Sequence, residues 1–296
     1  MAHVNGGVRG IGILPVGSSW LAARKTGEVV VVLGLVSSCG IVLLMKIEAK
    51  RVQATEIDAL RQAYRAEAKC QIIYDSFLPR WLADAYALSV EGKVVGYGAL
   101  ANRFYPRHIV EFYLDPEYRI DALEFFRELL LVTRATHVRA QTNMPLPMRM
   151  LMDTTKNIAA EKVLFSDGPA PTQLPPPDGV KFRHITEAEA EEFAKHQEVL
   201  TEWIVEGKDG IVATGGYLTH YNPPYADIFM AVGDAGRRKG YGSYIVQELC
   251  RTVREAGKIP AARCDPEVTG SRRALERGGL VVCGHLAFGE VVRAGS

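Results

Sequence analysis

The sequence lacks an excess of charge of either sign. Its 35 lysines and arginines stand against 34 aspartates and glutamates, which gives a formal net charge of +1. Proteins that bind nucleic acid neutralise phosphates and need a clear basic excess. Runs of like charge, which mark interaction tails, are missing too. We therefore expect no nucleic-acid partner.

Paired cysteines are also missing. The five cysteines, at positions 39, 70, 250, 264 and 283, are odd in number and include no Cys-x-x-Cys spacing. This pattern excludes a regular disulfide framework and a zinc knuckle. We expect no bound metal and a reducing, cytoplasmic location.

Long apolar runs are scarce, with one exception. Val29 to Met45 reads VVVVLGLVSSCGIVLLM, which is at the lower limit of the roughly 17 to 25 residues that span a bilayer. Basic residues flank it on both sides and give no clear orientation. A membrane anchor is one interpretation. We favour the other, that residues 1–44 are a leader that is disordered or not native, and that the folded chain starts at Met45.

A proline-rich segment divides the rest of the chain. Residues 167–179, DGPAPTQLPPPDG, contain five prolines, which oppose both helix and sheet and are typical of an extended linker. We expect one domain at 45–166 and a second at 180–296.

Both domains show the same order of predicted elements. Each has a strand, a helix, a hairpin, a strand, a helix, a strand, a short helix and a last strand. The hairpin turns are predicted at Glu91-Gly92 and at Lys208-Asp209-Gly210. The first domain has an extra predicted helix at 78–86, LPRWLADAY, and its first helix has Thr55 as the expected N-cap. The pattern indicates a mixed α/β fold that arose by internal duplication.

The most informative stretch is GRRKGYG, residues 236–242. It follows a predicted strand, ADIFMAV, and leads into a long amphipathic helix. A helix start exposes unpaired N–H groups and the positive end of the helix dipole, which favours phosphate. Gly240 and Gly242 let the backbone approach an anion closely. Arg237, Arg238 and Lys239 add charge and donors. The segment predicts a phosphate or pyrophosphate site.

The spacing excludes two common phosphate loops. It is neither Gly-x-x-x-x-Gly-Lys-Ser/Thr nor Gly-x-Gly-x-x-Gly. Arg237-x-x-Gly240-x-Gly242 instead resembles the pyrophosphate-binding loop of the GNAT superfamily of acyl-CoA-dependent N-acyltransferases, Arg/Gln-x-x-Gly-x-Gly/Ala. The strand KIPAARCD, the helix SRRALERGGL and the last strand follow in the family's order. The resemblance covers 180–296 and implies a tandem GNAT-like fold, with acetyl-CoA as co-substrate and an amine as acceptor.

The resemblance also implies which residues bind acetyl-CoA. The strand before the loop offers main-chain groups to the pantetheine arm and the thioester, and polar contacts come from the loop and from the late helix. The expected residues are Met230, Ala231, Val232, Arg237, Arg238, Lys239, Gly240, Tyr241, Gly242, Ser243, Asp265 and Ser271.

The catalytic residues are less clearly indicated. Many family members carry a tyrosine acid in the late helix, where this chain has Leu275, and an asparagine where it has DPEVTGS. The candidates for acid and base are His220, Tyr221 and Asp227, in or beside THYNPPYAD. An exposed loop histidine, a packed tyrosine and a strand-capping aspartate are the alternatives. Cys264 and Cys283 are expected to be inert thiols.

The first domain departs further from the family pattern. Its equivalent junction, YLDPEYRIDALEFF, has one arginine and no glycine, so side chains would block a pyrophosphate. We expect a degenerate GNAT-like domain that binds no CoA and walls the acceptor groove. The leading hypothesis is an N-acetyltransferase acting on a primary amine, and the alternative is a non-catalytic acyl-CoA sensor. A membrane-tethered protein outside the cell is a third hypothesis, at odds with the intracellular cofactor.

Overall fold

The computed structural model describes residues 24–25, 28–29, 31–33, 45–169, 173–196 and 201–293. The chain forms two compact units, Met1–Lys46 and Ile47–Ser296. In the smaller unit, β1 (Arg24–Lys25) pairs antiparallel with β2 (Glu28–Val29), and β3 is Val31–Leu33. Most of the apolar run 29–45 and of the expected leader 1–44 lies outside the described residues. In the described part of the chain, no helix has the length and apolar character that crossing a membrane requires.

The first domain follows the predicted order of elements. Short 3-10 helices at Ala54–Ile57 and Pro116–Asp121 precede its first two α-helices. The elements are β4 (Met45–Val52), α1 (Asp58–Glu67), β5 (Ala83–Val90), β6 (Lys93–Ala101), β7 (His108–Leu114), α2 (Ala122–Thr133), β8 (His137–Gln141), α3 (Pro145–Thr154) and β9 (Thr155–Asp167).

The second domain repeats that order, in agreement with the inferred duplication. A short 3-10 turn at Asp234–Gly236 precedes its longest helix. The elements are β10 (Lys181–His184), α4 (Glu187–His196), β11 (Trp203–Gly207), β12 (Gly210–Leu218), β13 (Tyr225–Val232), α5 (Tyr241–Glu255), β14 (Ile259–Cys264), α6 (Thr269–Arg277) and β15 (Leu280–Val291).

The two domains share one continuous mixed sheet. Its order is β10-β11-β12-β13-β14-β9-β15-β8-β7-β6-β5-β4. The last strand of each domain lies against the other domain: β9 pairs with β14, Val163 opposite Cys264, and β15 pairs with β8, Leu286 opposite Gln141. The two exchanged strands also pair with each other. The sheet therefore has no boundary at which the domains could be separated without breaking strand pairs.

Each domain contains one parallel strand pair that separates along its length. β13 and β14 pair from Tyr225 opposite Ile259 to Ile228 opposite Ala262, after which β13 continues without β14. β7 and β8 pair only at His108 and Ile109. The strands therefore separate at the ends that precede α5 and α2.

Two details of the predicted first domain are wrong. The segment expected as a helix at 78–86 forms turns, and β5 begins at Ala83. Trp81 has a left-handed φ of 58° and is 80% exposed, which ends the helical turn there. Thr55 is not the N-cap, because the chain enters a 3-10 turn capped by Gln53 and Glu56 before α1 starts at Asp58. Both predicted hairpins are present.

Candidate acyl-CoA and acceptor site

The stretch GRRKGYG, residues 236–242, leads into α5, where the sequence predicts the start of a helix. Gly240 is the N-cap residue, with a left-handed φ of 87°, and no side chain caps the helix. Within the described chain, the N–H groups of residues 238–243 donate to no backbone carbonyl. The first turn of a 15-residue helix thus presents free donors and the positive end of its dipole.

The two glycines act in different ways. A Cβ at position 240 would meet no atom within 4 Å, but the left-handed φ disfavours any side chain there. A Cβ at position 242 would lie 3.4 Å from the Cβ of Ala274 and 3.5 Å from Cγ2 of Val232. Alanine would fit at 242, whereas a branched side chain would fill the space between α5, α6 and β13.

The three cations of the loop are exposed. Arg237 pairs with Asp234 at 2.7 Å, with both side chains in solvent, and Arg238 adopts a left-handed φ of 62°. An exposed pair of this kind contributes little to stability and exchanges readily for a ligand. Arg237, Arg238 and Lys239 are therefore available to a phosphate group at the helix start.

The strand residues expected to meet the pantetheine arm border the splay. Met230, Ala231 and Val232 pair with β12 along one edge, opposite Gly215, Thr214 and Ala213, while β14 has already separated on the other edge. The Met230 Cε lies 3.8 Å from the Cβ position at Gly242. Strand edge and helix start therefore form one surface, and Tyr241 and Ser243 belong to the first turn of that helix.

Ser271 and Asp265, the two residues near α6 that were expected to contact acetyl-CoA, differ in their surroundings. Ser271 lies half-buried in the first turn of α6. Asp265 is 52% exposed and pairs with Lys162 of β9, so it is engaged by the exchanged strand of the first domain. Leu275, which the resemblance places where many family members have a tyrosine, is buried in the core beneath α5.

The catalytic candidates lie together with a residue that the sequence did not single out, Arg263 of β14. Arg263 donates to the Tyr221 hydroxyl at 2.7 Å and pairs with Asp227 at 3.3 Å. The His220 ring lies 4.3 Å from the Tyr221 ring, centroid to centroid. Asp227 is 4% exposed, and it faces away from the α5 side of the sheet because its neighbour Ile228 packs there.

Burial and neighbouring charges shift the pKa values of these three groups, and the directions differ from group to group. Burial raises the pKa of Asp227, while Arg263 and the Gln71 amide lower it. Loss of solvation, with the cations of Arg80 and Arg263, lowers the pKa of His220. Burial raises the pKa of Tyr221. At neutral pH these shifts favour a neutral His220 and a protonated Tyr221.

The first domain contributes buried contacts at the same place. Asn222, 1% exposed, accepts a hydrogen bond from the Ile72 N–H at 2.6 Å and donates to the Cys70 carbonyl at 3.2 Å. Sequence reasoning could have found Arg263, because an arginine within the otherwise apolar strand segment AARC indicates a buried partner on a neighbouring strand. No sequence pattern pointed to Gln71 or Asn222, because their partners are distant in the chain.

In the first domain, Arg119 occupies the gap where β7 and β8 separate. Arg119 donates from Nε to the Leu114 carbonyl at the end of β7, at 2.9 Å, and pairs with Glu67 at 2.5 Å. Its guanidinium therefore takes the edge that Met230–Val232 leaves free in the second domain. Glycine is missing from this loop, as the sequence shows.

The thiols near the site are not activated. Burial raises the pKa of both Cys264 and Cys283, which keeps them protonated and weakly nucleophilic at neutral pH. The described residues include no cluster of three or more histidine, cysteine or acidic side chains that could hold a metal ion.

Two family models match the chain, one for each domain. Residues 53–168 match an acetyltransferase (GNAT) domain, and residues 170–279 match the acetyltransferase (GNAT) family. No curated protein sequence matches significantly.

Solved structures of the same fold cover most of the chain. A GNAT-family acetyltransferase from Colwellia psychrerythraea superimposes with a TM-score of 0.67 at 13% identity, over 83% of this chain and 100% of that one. A tandem GNAT protein from the clavulanic acid biosynthesis pathway, without AcCoA, gives 0.58 at 12%, over 84% and 100%. A GCN5-related N-acetyltransferase from Sphaerobacter thermophilus gives 0.54 at 16%, over 84% and 96%. At these identities the likeness establishes the fold alone.

Proposed function

The chain belongs to the GNAT superfamily of acyltransferases, with two domains of that family in tandem, and on this premise we propose that it is a cytoplasmic acetyl-CoA-dependent N-acetyltransferase. The acceptor is a primary amine that attacks the thioester directly. The second domain carries the active site, and the first binds no CoA.

One observation supports this proposal above the others. The uncapped start of α5 and the free edge of Met230–Val232 form one surface at the splay between β13 and β14. The helix start, with Arg237, Arg238 and Lys239, would hold the diphosphate of acetyl-CoA. The strand edge would hold the pantetheine arm and thioester, and Ser271 lies close by in the first turn of α6.

The chain's own groups can perform the transfer. Asp227, one residue before the point where β13 leaves β14, takes the proton from the attacking ammonium. The neutral amine then attacks the thioester carbon, the C–N bond forms as the C–S bond breaks, and the second proton that the nitrogen loses passes to the departing thiolate, which leaves as the CoA thiol. A main-chain N–H of Met230–Val232 that points to the edge without β14 donates to the carbonyl oxygen as its charge develops. Each such donor contributes about 3 kcal/mol. Tyr221 and Arg263 position Asp227, and neutral His220 passes the proton to solvent.

The experiment is a titration of acetyl-CoA into the full chain by calorimetry, followed by CoA-thiol release with an amine panel. Replacing both Gly240 and Gly242 with valine should abolish binding and leave the far-ultraviolet circular dichroism unchanged. Gly242→Ala is the matched control, since a Cβ there makes only ordinary contacts. Unchanged affinity in the double valine variant would contradict the site assignment.

A non-catalytic acyl-CoA sensor is the alternative function. Leu275 favours it, because this buried leucine cannot protonate a departing thiolate as the tyrosine of many family members does. Tight binding of acetyl-CoA with no CoA release from any amine would select the sensor. Steady turnover would select the enzyme.

A further inference from the structure

Three loops of the first domain meet at one end of its sheet. They precede β5, follow β6 and precede β8, at residues 78–82, 102–107 and 134–136. The Asn102 N–H donates to the Leu82 carbonyl at 3.0 Å, and the Thr136 N–H donates to the Arg107 carbonyl at 2.8 Å. Main-chain hydrogen bonds therefore hold these loops together as one surface, which we call the basic end.

The basic end carries arginines that no acidic residue neutralises. The segments 76–83, 102–110 and 129–140 contain no aspartate or glutamate. Four arginines of these segments are exposed, and within the described residues none of the four pairs with a carboxylate: Arg80, Arg103, Arg107 and Arg134. Asp84, just beyond the first loop, is already paired with Arg51 at 2.5 Å. A chain with a net charge of +1 therefore concentrates positive charge at this end.

Two large aromatic side chains are exposed among these arginines. Trp81 is 80% exposed and Phe104 is 62% exposed, although rings of this size are mostly buried in folded proteins. The Phe104 ring lies 6.4 Å from the ring of Phe77, centroid to centroid, which joins the base of one loop to the other. Apolar rings that stand exposed between arginines indicate a surface that binds something.

The backbone of the basic end gives a second, independent indication. Trp81, Arg107 and Arg134 have left-handed φ values of 58°, 65° and 52°, a conformation that glycine, asparagine and aspartate adopt far more readily. Glycine or asparagine at these positions would relieve the strain. The fold therefore does not explain the tryptophan and the two arginines, and strained residues of this kind are typical of ligand-binding surfaces.

The exposed side chains of the basic end match an anionic lipid surface. They are arginine, proline, tryptophan and phenylalanine, together with Asn102, whose amide donates to Asp84 at 3.3 Å. Arginine is attracted to anionic headgroups, and tryptophan and phenylalanine favour the interfacial layer of a bilayer.

Other macromolecules match this surface less well. A nucleic acid would also attract arginine, but a chain with a net charge of +1 lacks the basic excess that binding along a phosphate backbone needs. A protein partner forms hydrogen bonds in both directions. The carboxylates and hydroxyls that would accept such bonds are missing from the exposed side chains of these loops.

We propose that the basic end docks this protein reversibly on an anionic membrane surface. Trp81 and Phe104 enter the headgroup layer, and the four arginines contact the lipid phosphates. This is a peripheral contact of the folded first domain and does not involve the apolar run 29–45. The proposal is independent of the proposed acyl transfer and gives the first domain a role of its own.

The test measures co-sedimentation of the full chain with unilamellar vesicles. One set is phosphatidylcholine alone, and the other contains about 30% phosphatidylserine, an anionic lipid of the cytoplasmic leaflet. We expect binding to the anionic vesicles to be stronger by about tenfold or more. Salt at about 0.5 M should release the protein, because it screens exposed charges.

A pair of arginine variants tests the charge. Arg80→Ala combined with Arg103→Ala should weaken binding to the anionic vesicles by about tenfold or more, because each basic side chain adds to the attraction. The matched control is Arg273→Ala combined with Arg277→Ala, which removes the same charge from the exposed face of α6. The control should bind nearly as the wild type does.

A single variant tests the exposed ring. Trp81→Asn should weaken vesicle binding by about tenfold and keep or raise the urea midpoint, because asparagine adopts a left-handed φ readily. A tryptophan with only a structural role would lower the midpoint when replaced. Val94→Thr is the control, since Val94 is 48% exposed at the far end of β6.

The fluorescence of Trp81 gives a local measurement. Trp20→Phe combined with Trp203→Phe leaves Trp81 as the single tryptophan of the chain. Its emission should move to shorter wavelength on anionic vesicles, and lipids with brominated acyl chains should quench it.

The outcomes decide the proposal in either direction. It is wrong if the chain binds neither set of vesicles, binds both sets equally, or binds anionic vesicles with Trp81 unquenched. It is also wrong if the arginine and tryptophan variants bind as the wild type does. Tighter binding to single-stranded RNA than to anionic vesicles would identify a nucleic-acid surface instead. Binding that both variants weaken, with Trp81 quenched, supports membrane docking whatever the acetyl-CoA titration shows.

Discussion

At the residue scale, the carboxylate of Asp227 pairs with Arg263 and lies one residue before the point where β13 separates from β14. Asp227→Asn keeps the shape of the side chain and removes the base. We expect kcat for acyl transfer to fall by about 10²–10⁴-fold, with the affinity for acetyl-CoA unchanged. Steady-state kinetics and calorimetry on the same preparation measure both quantities, and Asp209→Asn in the β11–β12 turn is the control.

The pH profile distinguishes the two candidate bases. Burial raises the pKa of Asp227 above its ordinary value of 3.8, so kcat/KM should fall as pH decreases through that raised value, because the protonated carboxyl cannot accept a proton. His220→Gln should keep this acid limb. If the limb disappears in His220→Gln and persists in Asp227→Asn, the base is His220.

Glu111 of β7 gives a separate prediction on stability. Burial raises its pKa to about 7 against an ordinary 4.5, with Arg61 opposing and Asp75 adding to the shift. Between these values the unfolded chain loses the proton while the folded chain keeps it. Stability therefore falls as pH rises, and the loss is complete above pH 7, at about 3 kcal/mol.

Glu111→Gln removes this titration and keeps an acceptor for the Tyr97 hydroxyl, which donates to Glu111 at 2.8 Å. Urea denaturation at pH 5 and pH 8 should show the variant gaining stability over the wild type at the higher pH. An equal difference at both values would show that Glu111 ionises normally, and exposed Glu117→Gln serves as control.

The sequence predicted the geometry of the loop because that geometry is local. The left-handed turn at Gly240 and the helix that starts after it depend only on neighbouring residues. Arg263 and Gln71 were not predicted, because only their proximity to Asp227 singles them out. Asp227 lies on a different strand from Arg263 and in a different domain from Gln71.

At the element scale, the starts of α5 and α2 make opposite uses of one junction. Free N–H groups face solvent in one, and Arg119 covers the strand edge in the other. We expect calorimetry to give one acetyl-CoA per chain. Arg119→Ala should leave this stoichiometry at one, because the first-domain loop still lacks its glycines. A stoichiometry of two in the wild type would contradict a CoA-free first domain.

Elements were predictable where periodicity and turn chemistry agree. Glu91 and Gly92 have φ of 48° and 80°, the left-handed pair that a two-residue hairpin turn requires. The predicted helix at 78–86 was wrong because the spacing of the apolar residues in this segment is also compatible with a helix. Pairing of β5 with both β4 and β6 outweighs the helix propensity of its alanines and leucine.

At the scale of the whole molecule, the exchanged strands couple the two domains. Leu286 lies on β15 of the second domain, is 2% exposed, and belongs to the core of the first. Leu286→Ala should destabilise the protein by about 2–5 kcal/mol and keep one unfolding transition. Circular dichroism and tryptophan fluorescence should report the same midpoint in urea.

Val282→Ala, also on β15 but 37% exposed, is the matched control and should have a much smaller effect. Two separate transitions, with only one shifted by Leu286→Ala, would show that the domains unfold independently.

The duplication was visible in the sequence, but the exchange was not. Alternation of apolar residues indicates that β9 and β15 are strands, and it carries no information on which neighbour each one joins. Both strands present similar hydrogen-bonding edges to either domain. The choice depends on the whole sheet, and it is a property of three-dimensional packing.

The route of β15 also sets an order of events during synthesis. A ribosome releases β4 to β8 long before residues 280–291 exist, so the nascent first domain has an open edge at β8 that only later-made chain can cover. Such an edge invites pairing with other nascent chains. Translation speed and chaperone supply should therefore affect the yield of this protein.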